Sequence, residues 1–246
     1  MDINAAKRQK TLEIKILKRF HKACADYQLT EDGDKILVAV SGGKDSLALI
    51  ELLGQQSKII VPKISVIALH VRQTHINYES DTDYLTHFCE QNGVRLLVKE
   101  TSYRMLDDSK RSHCFMCSWT RRKMLFETAQ ELGCNKIALG HHKDDIAQTA
   151  LLNLLFQGRF EAITPKTTMK KFAMTLIRPL CLIDEEDLKQ LAIYHSYKPQ
   201  RKLCPYEHET MRDKAKEMLD AAMCLNPNAK ENIWHALLQA DQRNKQ

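Results

Sequence analysis

The amino-acid sequence predicts an α/β fold: a doubly wound, mostly parallel sheet with a basic helix before it and a small helical appendage after it. Three observations predict it. Short apolar runs at 35–40, 64–69, 94–98 and 136–139 alternate with stretches of helical periodicity. The first runs are nearly unbroken in Val, Ile, Leu and Ala, as strands buried on both faces are. The first run also empties into a glycine-containing loop that opens a helix.

The elements follow in order. From 7 to 27 there is no Gly or Pro, and Leu12, Ile16, Phe20 and Ala23 recur at helical spacing. Lys7, Arg8, Lys10, Lys15, Lys18, Arg19 and Lys22 crowd the other faces, giving a basic amphipathic helix whose cations are either solvated or in contact with a polyanion. Glu31, Asp32, Gly33 and Asp34 make a turn before the strand 35–40, and a helix is expected over about 45–53. The strand 64–69, a helix over 81–91 ended by Gly93, and the strand 94–98 come next. Ser118 opens a helix that runs to Leu132 and ends at Gly133, with the strand 136–139 close behind. A helix over 144–156 has Gly158 placed to cap it; 175–177 is a last strand before Pro179, and 184–194 a further helix. From Pro199 onward no strand pattern remains. The organisation expected is therefore an N-terminal helix over 1–29, an α/β domain over 30–198 and a helical tail over 199–246 that carries Cys204.

The chain has 246 residues, 43% of them hydrophobic and 28% charged, enough for a sizeable core. No apolar run is long enough to span a bilayer, and the N-terminus is charged where a signal peptide needs an apolar stretch. The expected compartment is the cytoplasm, with no membrane partner. A net charge of +6 permits nucleic-acid binding, which depends on where the cations cluster. Eight cysteines without an export signal read as thiols, metal ligands or redox groups.

Ser41, Gly42, Gly43, Lys44, Asp45 and Ser46 lie between a buried strand and a helix start. Two glycines let the backbone approach a phosphate with its amides, and the helix N-terminus adds positive partial charge. Ser41 and Ser46 offer hydroxyls, Lys44 neutralises charge, and Asp45 can hold magnesium. The spacing is neither that of a Walker A motif nor that of a dinucleotide fingerprint. The hexapeptide resembles the signature of the PP-loop ATPases. That resemblance implies cleavage of ATP between its α and β phosphates, transfer of AMP to an oxygen, and a loop that grips the departing pyrophosphate.

Cys114 and Cys117 form a C-x2-C pair just ahead of the basic helix that opens at Ser118, with Arg121, Arg122 and Lys123 beside it. Two thiolates at this spacing share a metal or cluster, or act as a redox pair. Cys204 is a candidate third ligand, and a zinc knuckle completed by His113 or His208 is the structural alternative. Cys24, Cys89, Cys134, Cys181 and Cys224 read as small buried hydrophobes. In the turn 140–145, Asp144 or Asp145 either holds magnesium beside ATP or caps a helix, and His141 and His142 line the wall.

The stretch from Cys114 to Arg122, Leu132-Gly133, 136–145, Gln148-Thr149, Leu152-Asn153, Gly33-Asp34, 177–180 and the placing of Cys204 together resemble the tRNA 2-thiocytidine synthetase branch of the PP-loop enzymes, over roughly residues 30 to 220. The resemblance implies an ATP-dependent tRNA sulfurtransferase. Cys114, Cys117 and Cys204 would hold a [4Fe–4S] cluster by three thiolates, leaving one iron free for sulfide. ATP and Mg2+ would sit on Ser41 to Ser46, Gly140 and Asp145, with adenine near His70. The implied partners are tRNA and a sulfur donor, either a cysteine desulfurase or free sulfide, and homodimers occur in this family. Lys166, Lys170, Lys171, Arg201 and Lys202 would join the cations at the mouth. One departure is Cys204-Pro205-Tyr206, which looks more like related thiolases acting on uridine. The rival readings are another adenylating PP-loop ligase, or a zinc-stabilised RNA-binding protein without catalysis.

Overall fold

The computed structural model describes residues 3–74, 78–79, 81–103, 112–169, 172–198, 201–202 and 211–243; at 3, 78–79, 201–202, 212 and 241–243 it describes the backbone alone. Helix α1 (Ile3–Asp26) leads into β1 (Lys35–Val40), α2 (Lys44–Gln56) and β2 (Ser65–Gln73). Then come β3 (Tyr78–Glu79), α3 (Thr82–Gln91), β4 (Arg95–Thr101), α4 (His113–Glu131), β5 (Lys136–Ala138) and α5 (Lys143–Gln157). The described chain ends with β6 (Lys166–Met169), β7 (Met174–Ile177), α6 (Glu185–Tyr194), β8 (Arg201–Lys202), α7 (Met211–Leu225) and α8 (Ala229–Arg243).

Six strands form one sheet in the order β4-β2-β1-β5-β7-β6, parallel except for β6 at the edge. From β1 the chain winds outward through β2 and β4 on one side, then through β5 and β7 on the other. The order therefore reverses between β1 and β5, and a crevice opens at their carboxyl ends. Alternate residues serve opposite layers. Ile36, Val38 and Val40 join the core that holds Phe20, Leu47 and Leu188, while Leu37 joins Leu69, Ile137 and Leu125 of α4 on the other face. Burial on both faces is why the strands read as unbroken apolar runs. Each fully buried Leu or Ile contributes roughly 1.5–3 kcal/mol over exposure.

The apolar stripe of α1 is part of this core, with Ile16, Phe20, Ala23 and Cys24 all buried. Some of its cations are committed to the fold: Lys15 pairs with Asp187 at 2.7 Å, and Arg19 pairs with Asp184 and Asp187 at the start of α6.

Four expectations change. The segment after Pro199 holds strand β8, paired antiparallel with β3, since two residues are too few to carry an apolar alternation. Strand β6 was not anticipated, because Lys-Thr-Thr-Met at a sheet edge carries no apolar alternation. Helix α4 begins at His113, not Ser118, because Ser112 caps it by accepting the Phe115 N–H at 3.2 Å. The cysteine pair therefore lies on the helix. Cys224 is exposed: α7 turns Ala215 and Leu219 inward, and residue 224 falls off that face. Cys24, Cys89, Cys134 and Cys181 are buried, and burial pushes the thiols of Cys24, Cys89 and Cys181 up to about 12. Among the described residues no helix is long and apolar enough to cross a membrane.

Candidate active site

The loop between β1 and α2 is bound into a closed turn by its own side chains. Gly42 sits at φ +83°, a conformation that disfavours any side chain, and Gly43 is the N-cap of α2. Ser46 Oγ donates to the Gly43 carbonyl at 2.8 Å and accepts the Gly42 N–H at 3.2 Å. Ser41 Oγ lies 3.3 Å from Ser46 Oγ and accepts the Gly43 N–H at the same distance. The result is a closed turn at a helix N-terminus, where the helix dipole favours an anion and the serine hydroxyls occupy the two glycine amides.

Lys44 Nζ lies 3.1 Å from the Asp45 carboxylate and 3.4 Å from Glu185 at the start of α6. Asp45 Oδ1 is buried with the Lys44 ammonium 3.1 Å away, and a carboxylate oxygen at this place in the loop fits a magnesium ion arriving with ATP. Glu185 also meets Lys216 of α7 at 3.0 Å and Lys189 at 3.4 Å. Burial opposes ionisation of Glu185, but the hydrogen bond from Lys216 and the charges of Lys44 and Lys189 prevail and hold it down at about 2. It is thus an anion that keeps Lys44 beside the loop until phosphates compete for it.

Gly140, after β5, forms the opposite wall. A Cβ there would stand 3.3 Å from both the Asp45 carbonyl carbon and the Ser46 amide nitrogen, so only glycine permits this approach without displacing the loop's helix. Asp145 closes a capping box on α5: its Oδ2 accepts the His142 N–H at 2.9 Å, and His142 Nδ1 accepts the Asp145 N–H at 3.4 Å. Asp144 accepts the Glu185 N–H at 2.7 Å and the Lys230 ammonium at 2.8 Å, joining α5, α6 and α8.

At the carboxyl end of β2, His70 pairs in register with Val40, and its Nδ1 donates to the Val40 carbonyl at 2.8 Å. Burial lowers its pKa, so the imidazole is neutral. A cavity opens here, lined by Ala39, Val40, Ser41, His70, Arg121 and Leu125. Its apolar walls and strand-end backbone suit a flat heteroaromatic ring.

Cys114 is exposed and Cys117 half-buried on the first turns of α4, three residues apart and hence on one face. Gln73, 1% exposed, donates Nε2 to the Cys117 carbonyl at 3.0 Å and to Thr120 Oγ1 at 3.1 Å, tying the end of β2 to the cysteine turn. One turn beyond Cys117, Arg121 reaches the cavity beside Ser41 and His70. Cys204, His208, Lys170 and Lys171 lie outside the described residues, as do the side chains of Arg201 and Lys202. Among the described residues no three His, Cys, Asp or Glu side chains are grouped to hold a metal. Lys166 is not at the mouth: it reaches the Gln28 carbonyl at 2.8 Å and Glu31 at 3.7 Å, by the turn before β1. Glu185, Lys216 and Gln73 went unrecognised in the sequence. Glu185 stands 141 residues from Lys44, and no local pattern marks such a pairing.

A phosphate cradle at the switch point of a parallel sheet, facing a glycine wall, defines a nucleotide-binding α/β domain of the PP-loop class. The family model described as the PP-loop domain matches residues 10–198. The chain is 33% identical over 227 residues to a tRNA-cytidine(32) 2-sulfurtransferase of Geobacter metallireducens, covering 90% of this chain and 88% of that one. It is 34% identical over 231 residues to that of Cupriavidus taiwanensis, covering 92% and 74%. Among solved structures, the U34-tRNA thiolase NcsA from Methanococcus maripaludis with its [4Fe-4S] cluster superposes with a TM-score of 0.78 over 94% of this chain and 79% of that one. At 24% identity that likeness is one of fold. The chain belongs to the PP-loop family, in the branch of the tRNA 2-sulfurtransferases.

Proposed function

We propose that this chain is an ATP-dependent tRNA sulfurtransferase that converts a cytidine of tRNA, position 32 as in its relatives' name, to 2-thiocytidine. The observation that carries the reading is a shared mouth. Arg121, one helical turn from Cys117, lines the same cavity as Ser41 and His70, which supports a crevice shared by the cysteine helix and the loop 41–46.

The C2 oxygen of a pyrimidine is a poor leaving group, and transfer of AMP to it makes a good one. The Ser41 and Ser46 hydroxyls, Lys44 and the amides of Gly42 and Gly43, which would exchange their serine partners for phosphate oxygens, would receive the pyrophosphate as its charge develops. Asp45 would hold Mg2+, adenine would lie against His70 and the ends of β1 and β2, and Gly140 and Asp145 would shape the facing wall. The C2 oxygen attacks the α-phosphate, pyrophosphate leaves, and sulfur then adds at C2 and expels AMP. Cys114, exposed, and Cys117, half-buried, a turn apart on α4, fit a metal cluster. Cys114, Cys117 and Cys204 would hold a [4Fe–4S] cluster, which when bound offers an open iron position for sulfide. The β3–β8 pair sets residue 202, two before Cys204, opposite Tyr78, which follows β2. The donor would be a cysteine desulfurase or free sulfide, the compartment the cytoplasm and the assembly a homodimer.

The test is deletion of the gene followed by mass spectrometry of nucleosides from bulk tRNA. The expected result is loss of 2-thiocytidine, restored by the intact gene but not by a Cys117→Ser copy. Persistence of 2-thiocytidine, or loss of a thiolated uridine instead, overturns it.

A further inference from the structure

Helix α4 has a second face. Phe115, Trp119, Arg122 and Lys123 fall at i, i+4, i+7 and i+8, one exposed stripe on the side of the helix opposite the buried Thr128. Phe115 is 43% and Trp119 44% exposed, and Arg122 and Lys123 are exposed between and beside them. The Lys123 ammonium lies 5.8 Å from the centre of the Trp119 ring.

We propose that this stripe is a contact surface for single-stranded RNA, with Phe115 and Trp119 as stacking platforms for unpaired bases of the tRNA. The proposal rests on the tRNA reading above and extends it to a named surface. An enzyme that works on the face of a base must take it out of its stack, and the neighbours left exposed are stabilised on aromatic side chains with cations beside them. The stripe offers that pairing on the helix that carries Cys114 and Cys117. Charge argues against a second copy as the occupant. A symmetric contact would press Arg122 and Lys123 against their own duplicates, and the chain already carries a net +6. A polyanion meets no such repulsion from the cations, and its phosphates can take the place of Glu127, which lies 3.7 Å from the Lys123 ammonium.

The chain provides its own probe, because it has two tryptophans and Trp234 is only 8% exposed. A tRNA transcript is titrated into the full chain while tryptophan emission and filter binding are read together. Quenching is expected in the wild type and absent in Trp119→Phe, which keeps a ring and nearly the wild-type affinity. Phe115→Ala and Trp119→Ala should each weaken tRNA binding about tenfold, with ATP affinity unchanged. Wild-type affinity in both alanine variants of a chain that still thiolates tRNA overturns the surface and leaves the sulfurtransferase reading standing. Failure of the wild type to bind tRNA removes both. An altered oligomeric state in Trp119→Ala at constant tRNA affinity assigns the face to a second copy and overturns the proposal.

Discussion

Gly140 owes its identity to a neighbour far away in the chain. Its backbone lies where any Cβ would come within 3.3 Å of the Asp45 and Ser46 main chain, so a methyl group must push the phosphate loop by a few tenths of an ångström. Gly140→Ala should therefore lower kcat/KM for ATP roughly tenfold, about 1.4 kcal/mol, with little change in melting temperature; steady-state pyrophosphate release checks this. Cys117 tests the other half of the crevice. Its carbonyl is held by Gln73 whatever the side chain is. Cys117→Ser is expected to bind ATP as the wild type does and to form no thiolated base, measured by calorimetry and by nucleoside analysis. The C-x2-C spacing was legible in the sequence, but its helical setting was not, because the Ser112 cap is one hydroxyl in a segment without periodicity.

At the scale of elements, α1 and α6 are clamped onto α2. Phe20 is fully buried among residues of β1, α2 and α6, so Phe20→Ala should cost about 3–5 kcal/mol in urea unfolding. A polar clamp lies on the same helices. His195, which ends α6, meets Glu13 of α1 at 2.9 Å through Nε2 and Glu51 of α2 at 2.9 Å through Nδ1, and Tyr197 donates its hydroxyl to Glu51. Burial works against a charged imidazole, but the hydrogen bond to Glu13 and the charge of Glu51 prevail and raise its pKa. The folded chain therefore holds this proton more tightly than an unfolded chain, whose imidazole titrates near about 6.5. The clamp contributes fully below that pH, and its contribution is lost as pH rises through the folded-state value. Thermal melts should show stability falling with pH above about 6.5 in the wild type, and a flatter profile in His195→Gln.

At the scale of the whole molecule, both ends of the chain are drawn onto the sheet domain. Lys230 of α8 bridges Asp144 at 2.8 Å and Asp184 at 2.7 Å, while Trp234 meets Tyr27 edge-on at 6.4 Å. Burial opposes ionisation of Asp184, but hydrogen bonds from Lys230 and Arg19 overcome it and hold the acid at about 2. Helix α7 contributes Lys216 to Glu185, beside the phosphate loop, so the C-terminal helices are joined to the chemistry through one carboxylate. The net +6 makes tRNA affinity a function of salt. If six to ten phosphates are contacted, affinity should fall by about 10³-fold or more between ~50 and ~200 mM salt. Removing Arg122 or Lys123 should reduce the log–log slope by about one each, read by filter binding across a salt series.

The sequence by itself determined what is local. The apolar runs became β1, β2, β4, β5 and β7; the stripe Leu12, Ile16, Phe20 and Ala23 became the buried face of α1; the glycines and serines of 41–46 became a closed turn at the start of α2. Strand burial, helical period and turn chemistry act over a few residues, so they can be read in order along the chain. What only the tertiary structure decided is who faces whom. Strand order placed β1 beside β5, and with that Gly140 against Asp45, while α6 packed on α2 set Glu185 against Lys44 and α4 packed on β2 set Gln73 under Cys117. These partners are separated by long stretches of chain, and they meet because a doubly wound sheet gathers the carboxyl ends of its strands at one edge.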